Sequence, residues 1–412
     1  MGFTKRMLED NESRGFSSKD TYVCHECVGN YALKKHIKHI GVCKRCNYCG
    51  NNRVSVEIDD LMVIIISGIR FEYEDATGIM AYDKHEGGFF GATTWDNYDL
   101  IRDLNDEMQI ESSNLLDDIT EMMDDSITWC KKSPYASCEN EEMLSLWDSF
   151  CEQVKYKSRY VFLQANSIRS NPYEKEPFEI LKYIGESIGN LGLVKSIPKR
   201  TTFYRGRMHN STEKLEDATT LGSPPSEFAK SNRMSPEGIS MFYCANDINT
   251  ALLEIYDRDK EIATVTEFYN MRNIMCVDFT KINYIKVPSL FDEQNRNKIE
   301  AIIFLKRFNE NITRKIEKLK SVEYVPVQVV AEYFRHLFLS ENNCKIDGII
   351  YNSSIMNTGI CYALFFNNKQ CIYSKKRKEW EESCMLKIRK NSIKQYKPCT
   401  EWVINSEKNT SD

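Results

Sequence analysis

No stretch of this 412-residue chain is apolar for long enough to cross a bilayer. The longest such run, Leu61 to Ile69, falls far short of the roughly 18 to 20 residues a spanning helix needs, so it reads as a buried core segment. The N-terminal sequence MGFTKRMLEDNESRGFSSKD lacks the apolar stretch of a secretory signal, and Arg6 stands where a myristoylation signal carries Ser or Thr. Together these absences predict a cytoplasmic protein with no membrane partner. Charge of one sign is missing as well: 60 acidic against 55 basic residues leave a net charge of −5, so any anion site must be local. No GxSxG nucleophile elbow surrounds Ser353 or Ser354, and a GxGxxG dinucleotide fingerprint is absent.

Cysteine, by contrast, is plentiful, and five of the 15 fall between Cys24 and Cys49. In a reducing compartment this clustering favours one metal site plus ordinary buried thiols over a disulfide framework. Cys24-x2-Cys27 is followed by the overlapping pairs Cys43-x2-Cys46 and Cys46-x2-Cys49, and either spacing suits a closed four-thiolate zinc ribbon. Gly50, directly after the last cysteine, eases the turn a zinc knuckle requires and favours Cys24, Cys27, Cys46 and Cys49 as ligands, with Cys43 spare. His25, His36 and His39 read as solvated neighbours, because four thiolates already complete a tetrahedral site.

The chain then divides by character. Residues 58–197 are acidic and carry apolar residues at helical intervals, as in WDNYDLIRDLNDEMQIESSNLLDDITEMMDDSITW. From residue 198 short β-rich segments such as TFYRGRM, GISMFYCA, IMCVDF and ICYALFF alternate with helical ones such as VPVQVVAEYFRHLF, which predicts an α+β domain to about residue 374. Residues 375–412 form a locally basic C-terminal extension, read either as a solvated tail or as a binding patch.

Within the α+β region several polar residues sit at the ends of apolar segments. Tyr204 and Arg205 close the first strand, where a guanidinium can grip a phosphate through two parallel bonds. Arg233 precedes a turn, and the two-residue period puts Ile239, Met241 and Tyr243 on one strand face. Asp247 or Asn249 caps a following helix, with Ala251, Leu252 and Ile255 on its buried face and Glu254 at the margin. Ser353 and Ser354 enter a polar loop between two strands and suit ligand hydrogen bonding better than nucleophilic attack. Taken singly, each residue has an ordinary structural explanation.

The blocks FYRGR, LGSPPSEFAKSNRMSPEGISMFYCANDINTALLE, VPVQVVAEYF and DGIIYNSSIMNTGICYALFF together resemble the RES domain, in order and in spacing. The part before them, from CNYCG to SNPYEKEPFEILKYIG, resembles the zinc-containing HEPN-like domain of longer family members. The resemblance implies an ADP-ribosyltransferase-like fold behind a zinc ribbon (residues 1–57) and a helical HEPN-like domain (58–197). It also implies cleavage of NAD at the nicotinamide glycosidic bond, with phosphate as co-substrate in phosphorylase members. Arg205, Glu254 and Ser353 fall on the residues that name the family, Arg233 and Tyr243 on its second arginine and pocket tyrosine, and Tyr204 and Ser354 adjoin them. Ser235 stands where the family commonly has Asn.

Three functions follow as expectations. The first is an NAD phosphorylase or glycohydrolase, acting as a toxin or defence effector under an antitoxin or regulatory protein and able to form a homodimer. The second is transfer of ADP-ribose to a macromolecule. The third is a nucleic-acid-binding module built on the ribbon and helices. None of the six histidines follows an arginine at the Arg-x4-6-His spacing of HEPN ribonucleases, which argues against a nuclease.

Overall fold

The cysteine-rich stretch folds as a three-stranded antiparallel sheet, β1 (Tyr22–Cys24), β2 (Val42–Arg45) and β3 (Asn52–Glu57), with β3 in the middle. Helix α1 (Tyr31–Ile40) begins where the Asn30 side chain accepts hydrogen bonds from the Ala32 and Leu33 amides, and it buries Ala32, Leu33 and Ile37. This computed structural model describes residues 11, 13–85, 87–159, 176, 178–313, 321–340, 343–356, 358–371 and 384–397. The chain divides into two compact units, Met1–Glu139 with Lys286–Glu300, and Asn140–Ile285 with Ala301–Asp412.

In the first unit the apolar run of the sequence becomes α2 (Ile58–Glu72), burying Ile58, Leu61, Met62, Ile65, Ile66 and Ile69 at helical spacing. Helices α3 (Asn97–Met108) and α4 (Ser113–Met122) cover it, capped by Asp96 and Ser112. The expected helical region also holds short strands: β4 (Tyr73–Asp75), the hairpin β5 (Tyr82–Asp83) and β6 (Gly88–Phe89), β7 (Thr94–Trp95) and β8 (Trp129–Lys131), with β8 pairing both β4 and β7. Trp129 draws these strands together, its indole N–H donating to the buried Asn97 side chain.

The segment 286–300 belongs to this first unit, far from it in sequence. Leu290 and Phe291 are buried in its core. The Phe291 ring lies so close to Gly68 that a Cβ there would come within 2.6 Å of it. Polar ties surround this plug: Asn30 Nδ2 donates to Ser289 Oγ at 2.9 Å, Tyr31 Oη to Asp292 at 2.9 Å, Ser67 Oγ to Glu293 at 2.6 Å, and the Leu290 amide to Glu107 at 2.7 Å.

The second unit is built on one large sheet, ordered β16-β12-β10-β11-β15-β14-β13-β9, with β17 also on β12. These strands are β9 (Val194–Ile197), β10 (Thr202–His209), β11 (Phe242–Ala245), β12 (Ile262–Asn270), β13 (Ile274–Asp278), β14 (Gly348–Asn352), β15 (Ile360–Leu364), β16 (Leu386–Ile388) and β17 (Lys394–Tyr396). Among the described strand pairs of this sheet, only β13 and β14 run parallel. Helices α5 (Glu139–Glu152), α6 (Glu179–Asn190), α7 (Ala218–Leu221), α8 (Ile248–Ile255), α9 (Ile299–Thr313) and α10 (Val325–His336) complete it. Period-two alternation divides the core between the sheet's faces: Val277, Ile349 and Ala363 pack with Trp147, Phe150, Ile184, Phe304, Phe308 and Phe334, while Cys276, Ile350 and Leu364 pack with Phe203, Phe242 and Phe268.

This division departs from the boundaries read from the sequence. Helices α5 and α6, assigned to the helical region 58–197, bury Trp147, Phe150, Ile180 and Ile184 in the second unit, because their apolar stripes match the aromatic faces of α9 and α10. The extension 375–412 is not wholly a solvated tail. Its residues Leu386–Ile388 and Lys394–Tyr396 add strands to β12.

Candidate active site and metal site

Helix α8 owes its position to two glycines. A Cβ at Gly206 would meet Ile255 at 2.5 Å, and one at Gly359 would meet Thr250 at 2.6 Å and Ser353 at 3.1 Å, so both positions permit close backbone approach. Asp247 caps the helix, accepting from the Thr250 amide at 2.9 Å. Ala251, Leu252 and Leu253 are buried, which leaves Glu254 exposed on the side that borders a cleft of about 500 Å³. That volume is in the range of small-molecule sites.

The cleft gathers Tyr204, Arg205, Arg233, Tyr243 and Glu254, which lie apart in sequence. Ser353, buried, stands behind Glu254 and donates to its carboxylate at 2.5 Å, while Ser353 Oγ accepts from the amides of Ile355 and Met356 at 3.1 and 3.0 Å. With its proton on a carboxylate and its lone pairs on backbone amides, this hydroxyl holds Glu254 in place; it is not poised for attack. Ser354 Oγ accepts from Arg233 Nη2 at 3.2 Å.

The two arginines are held differently. Arg205 spends Nε on the carbonyls of Leu221 and Gly222, at 2.9 and 3.1 Å, and Nη1 on that of Tyr243 at 2.5 Å, with its guanidinium over the Phe242 ring. Burial lowers its pKa, and the carbonyls compensate the charge. Arg205 therefore fixes the cleft wall and leaves Nη2 and the second Nη1 hydrogen as donors not used in these bonds. Arg233 bonds only to a serine, lies 5.9 Å over the Tyr351 ring and meets no carboxylate among the described residues, so its charge is available to an anion.

Tyr243 shares the cleft with Ile239 and Met241, although the strand itself starts only at Phe242. Burial pushes its phenol up to about 12, and its hydroxyl lies 2.9 Å from Ser235 Oγ. Ser235, the departure from the family pattern, thus remains a hydrogen-bond partner.

Four further residues escaped the sequence reading. Tyr324, Tyr351 and Cys361 line the cleft, and burial holds the Cys361 thiol well above its usual range. Buried Gln328 on α10 donates to Ser231 Oγ and to the carbonyls of Asn232 and Ser235, clamping the turn that carries Arg233. Its signal was a lone amide in the apolar run VPVQVVAEYF.

In the first unit the sulfurs of Cys24, Cys27, Cys46 and Cys49 lie within 4.8 Å of one another. Cys24–Cys27, Cys24–Cys49 and Cys27–Cys46 are each 3.6 Å apart. Tetrahedral zinc, with Zn–S of about 2.3 Å, implies about 3.8 Å between sulfurs, so the four fit such an ion. Gly50 adopts φ +72°, and the Asn51 amide draws the Cys49 thiol down to about 7, towards the thiolate a metal needs. Cys43 is exposed on β2, outside the group, and His25 bonds to the Val54 carbonyl and to Glu26.

Residues 41–168 match the family model described as HEPN/RES N-terminal domain 1, and residues 203–383 match the RES domain. No curated protein and no solved structure matches the chain. No helix among the described residues is long and apolar enough to cross a membrane.

Proposed function

We propose, from the premise that the chain belongs to the RES-domain proteins that carry a HEPN/RES N-terminal domain, that its cleft consumes NAD by breaking the bond between nicotinamide and ribose. The observation that carries this reading is the Glu254 carboxylate, oriented by Ser353 at the edge of a cleft that also presents Arg233 and Tyr243.

In this reaction the C1′–N bond breaks and its electron pair stays on nicotinamide. The leaving pyridinium becomes neutral, so no acid is needed to protonate it. Positive charge develops on the ribose, where Glu254 stabilises it and holds a ribose hydroxyl. Arg233 and the free Nη2 of Arg205 bind the pyrophosphate, or Arg233 binds an attacking phosphate. A phosphate oxygen then bonds to C1′, giving ADP-ribose phosphate; water in its place gives ADP-ribose and releases one proton to solvent. Tyr243 and Tyr204 pack against the nicotinamide end.

Phosphorolysis is preferred because Arg233, which meets no carboxylate among the described residues, lines the same cleft as Glu254 and offers its charge to a phosphate. The four-cysteine group takes zinc as a closed structural site. Loss of cellular NAD suits a toxin or defence effector governed by a regulatory protein.

The test is incubation of the full chain with NAD, with and without phosphate, and mass spectrometry of the products. Nicotinamide plus phosphorylated ADP-ribose is expected with phosphate. ADP-ribose alone under both conditions points to hydrolysis, and mass added to protein points to transfer. Intact NAD under every condition overturns the reading.

A further inference from the structure

Helix α1 carries its charge in an arrangement that works against its own stability. Its outer face presents Tyr31, Lys34, Lys35, Lys38 and His39 around a shallow depression. Lys34 and Lys38 are four residues apart and Lys35 and Lys38 three, spacings at which like charges on a helix repel. No acidic residue occupies the first turn to relieve them. Residues 27–56 include Lys34, Lys35, Lys38, Lys44, Arg45 and Arg53 but no Asp or Glu, although the chain as a whole is acidic. The Asp292 carboxylate at the helix start is already occupied, accepting from Tyr31 Oη and from Asn295.

The adjoining hairpin is basic too. Lys44 stands directly opposite Arg53 in the β2–β3 register, both exposed, with the Lys44 ammonium 3.8 Å over the Tyr22 ring and donating to its hydroxyl at 2.6 Å, so the pair adds positive surface. Helix and hairpin of one unit thus both present exposed positive charge that a polyanion would neutralise.

Tyr31 narrows the class of polyanion. Its side chain is 53% exposed, yet its hydroxyl is pinned between the Asp292 carboxylate and the Ser289 amide. The ring is therefore a fixed platform at one end of a basic row, the combination that holds single-stranded nucleic acid by phosphate contact and base stacking. An acidic peptide offers charge but no ring to stack, and none of the five residues is an aliphatic group for a membrane to receive.

We propose that the outer face of α1 binds single-stranded nucleic acid, with Lys34, Lys35 and Lys38 along the phosphates and Tyr31 beneath a base. From Tyr31 to His39 the row spans about 12 Å, enough for a short stretch of strand. This site lies in the first unit and is independent of the NAD chemistry proposed for the cleft.

The test is fluorescence anisotropy of labelled oligouridine and oligothymidine titrated with the full chain over a range of salt. Three phosphate contacts give a log–log salt slope of about −2. The variant K34Q/K35Q/K38Q should flatten that slope and weaken binding at least about tenfold, while its zinc content and NAD turnover stay unchanged. Tyr31→Leu should weaken binding about tenfold, whereas Tyr31→Phe, which keeps the ring but loses the hydroxyl that pins it, should weaken binding less than Tyr31→Leu does. Preference between the two oligomers separates RNA from DNA. The proposal is overturned if the parent chain fails to bind either oligomer at low salt, or if the triple variant keeps affinity and slope. Equal competition by polyglutamate or anionic vesicles overturns it as well.

Discussion

The buried Ser353 hydroxyl donates to the Glu254 carboxylate at 2.5 Å, across 99 residues of sequence. That bond joins a helix margin to a loop between strands and fixes the direction in which a carboxylate enters the cleft. It also separates the places of the two residues: Glu254 borders the cleft, and Ser353 acts through that carboxylate.

Glu254→Gln should therefore lower kcat for NAD cleavage by about 10²- to 10³-fold, as expected for losing an electrostatic partner of the transition state. Ser353→Ala leaves the carboxylate present but unaimed, and about a tenfold loss is expected. Steady-state kinetics with zinc content as a folding control measures both. Unchanged turnover in Glu254→Gln would remove that residue from the mechanism.

The two arginines should behave differently on substitution. Arg205→Ala strands the carbonyls of Leu221, Gly222 and Tyr243, and a loss of about 3 kcal/mol or more in unfolding free energy is expected. Arg233→Ala breaks a single bond to Ser354, so stability should change by less than about 1 kcal/mol while KM for NAD or phosphate rises at least about tenfold. Urea melts set beside kinetics decide this. Equal destabilisation by both variants would contradict it.

For the metal site, Cys46→Ser should lose bound zinc, while Cys43→Ser, outside the group, should retain one ion per chain. A strong chelator should unfold the ribbon, read as lost amide protection in β1 and β3.

Phe291→Ala should destabilise the first unit by about 3 to 5 kcal/mol, since the ring fills its core against Gly68. Hydrogen exchange should locate the loss in α2. A fragment ending at residue 139 lacks this plug and should be less stable than the same unit in the full chain.

High pH should weaken the second unit in a defined way. Burial raises the Tyr243 phenol from its ordinary 10.0 to about 12. The neutral phenol's contribution is complete below pH 10 and lost as pH rises towards 12, because the unfolded chain releases this proton first. Tyr243→Phe should flatten the fall in stability over that interval, as measured by urea melts at stepped pH.

Much of this was legible in the sequence, for identifiable reasons. Cysteine spacing encodes a metal knuckle locally, so Cys24, Cys27, Cys46 and Cys49 could be named with Gly50 as the deciding neighbour. Helical periodicity marked α3 and α4, and the two-residue period grouped Ile239, Met241 and Tyr243, which share the cleft. Arg205, Arg233, Tyr243 and Glu254 could be grouped because their motifs kept order and spacing. Gln328 showed only as a lone amide in an apolar run, and neither its grip on the Arg233 turn nor the presence of Cys361 in the cleft could be read locally, since each depends on a partner distant in the chain.

By itself, then, the sequence determined what short-range chemistry determines: the thiolate set, the amphipathic faces, the caps and the polar ends of apolar segments. Only the tertiary structure decided that Leu290 and Phe291 complete the core of the first unit, that α5 and α6 pack with the second, and that Arg205 serves the backbone while Arg233 bonds to Ser354. Burial and hydrogen-bond satisfaction are settled by whichever surfaces meet, and a linear pattern does not specify the meeting.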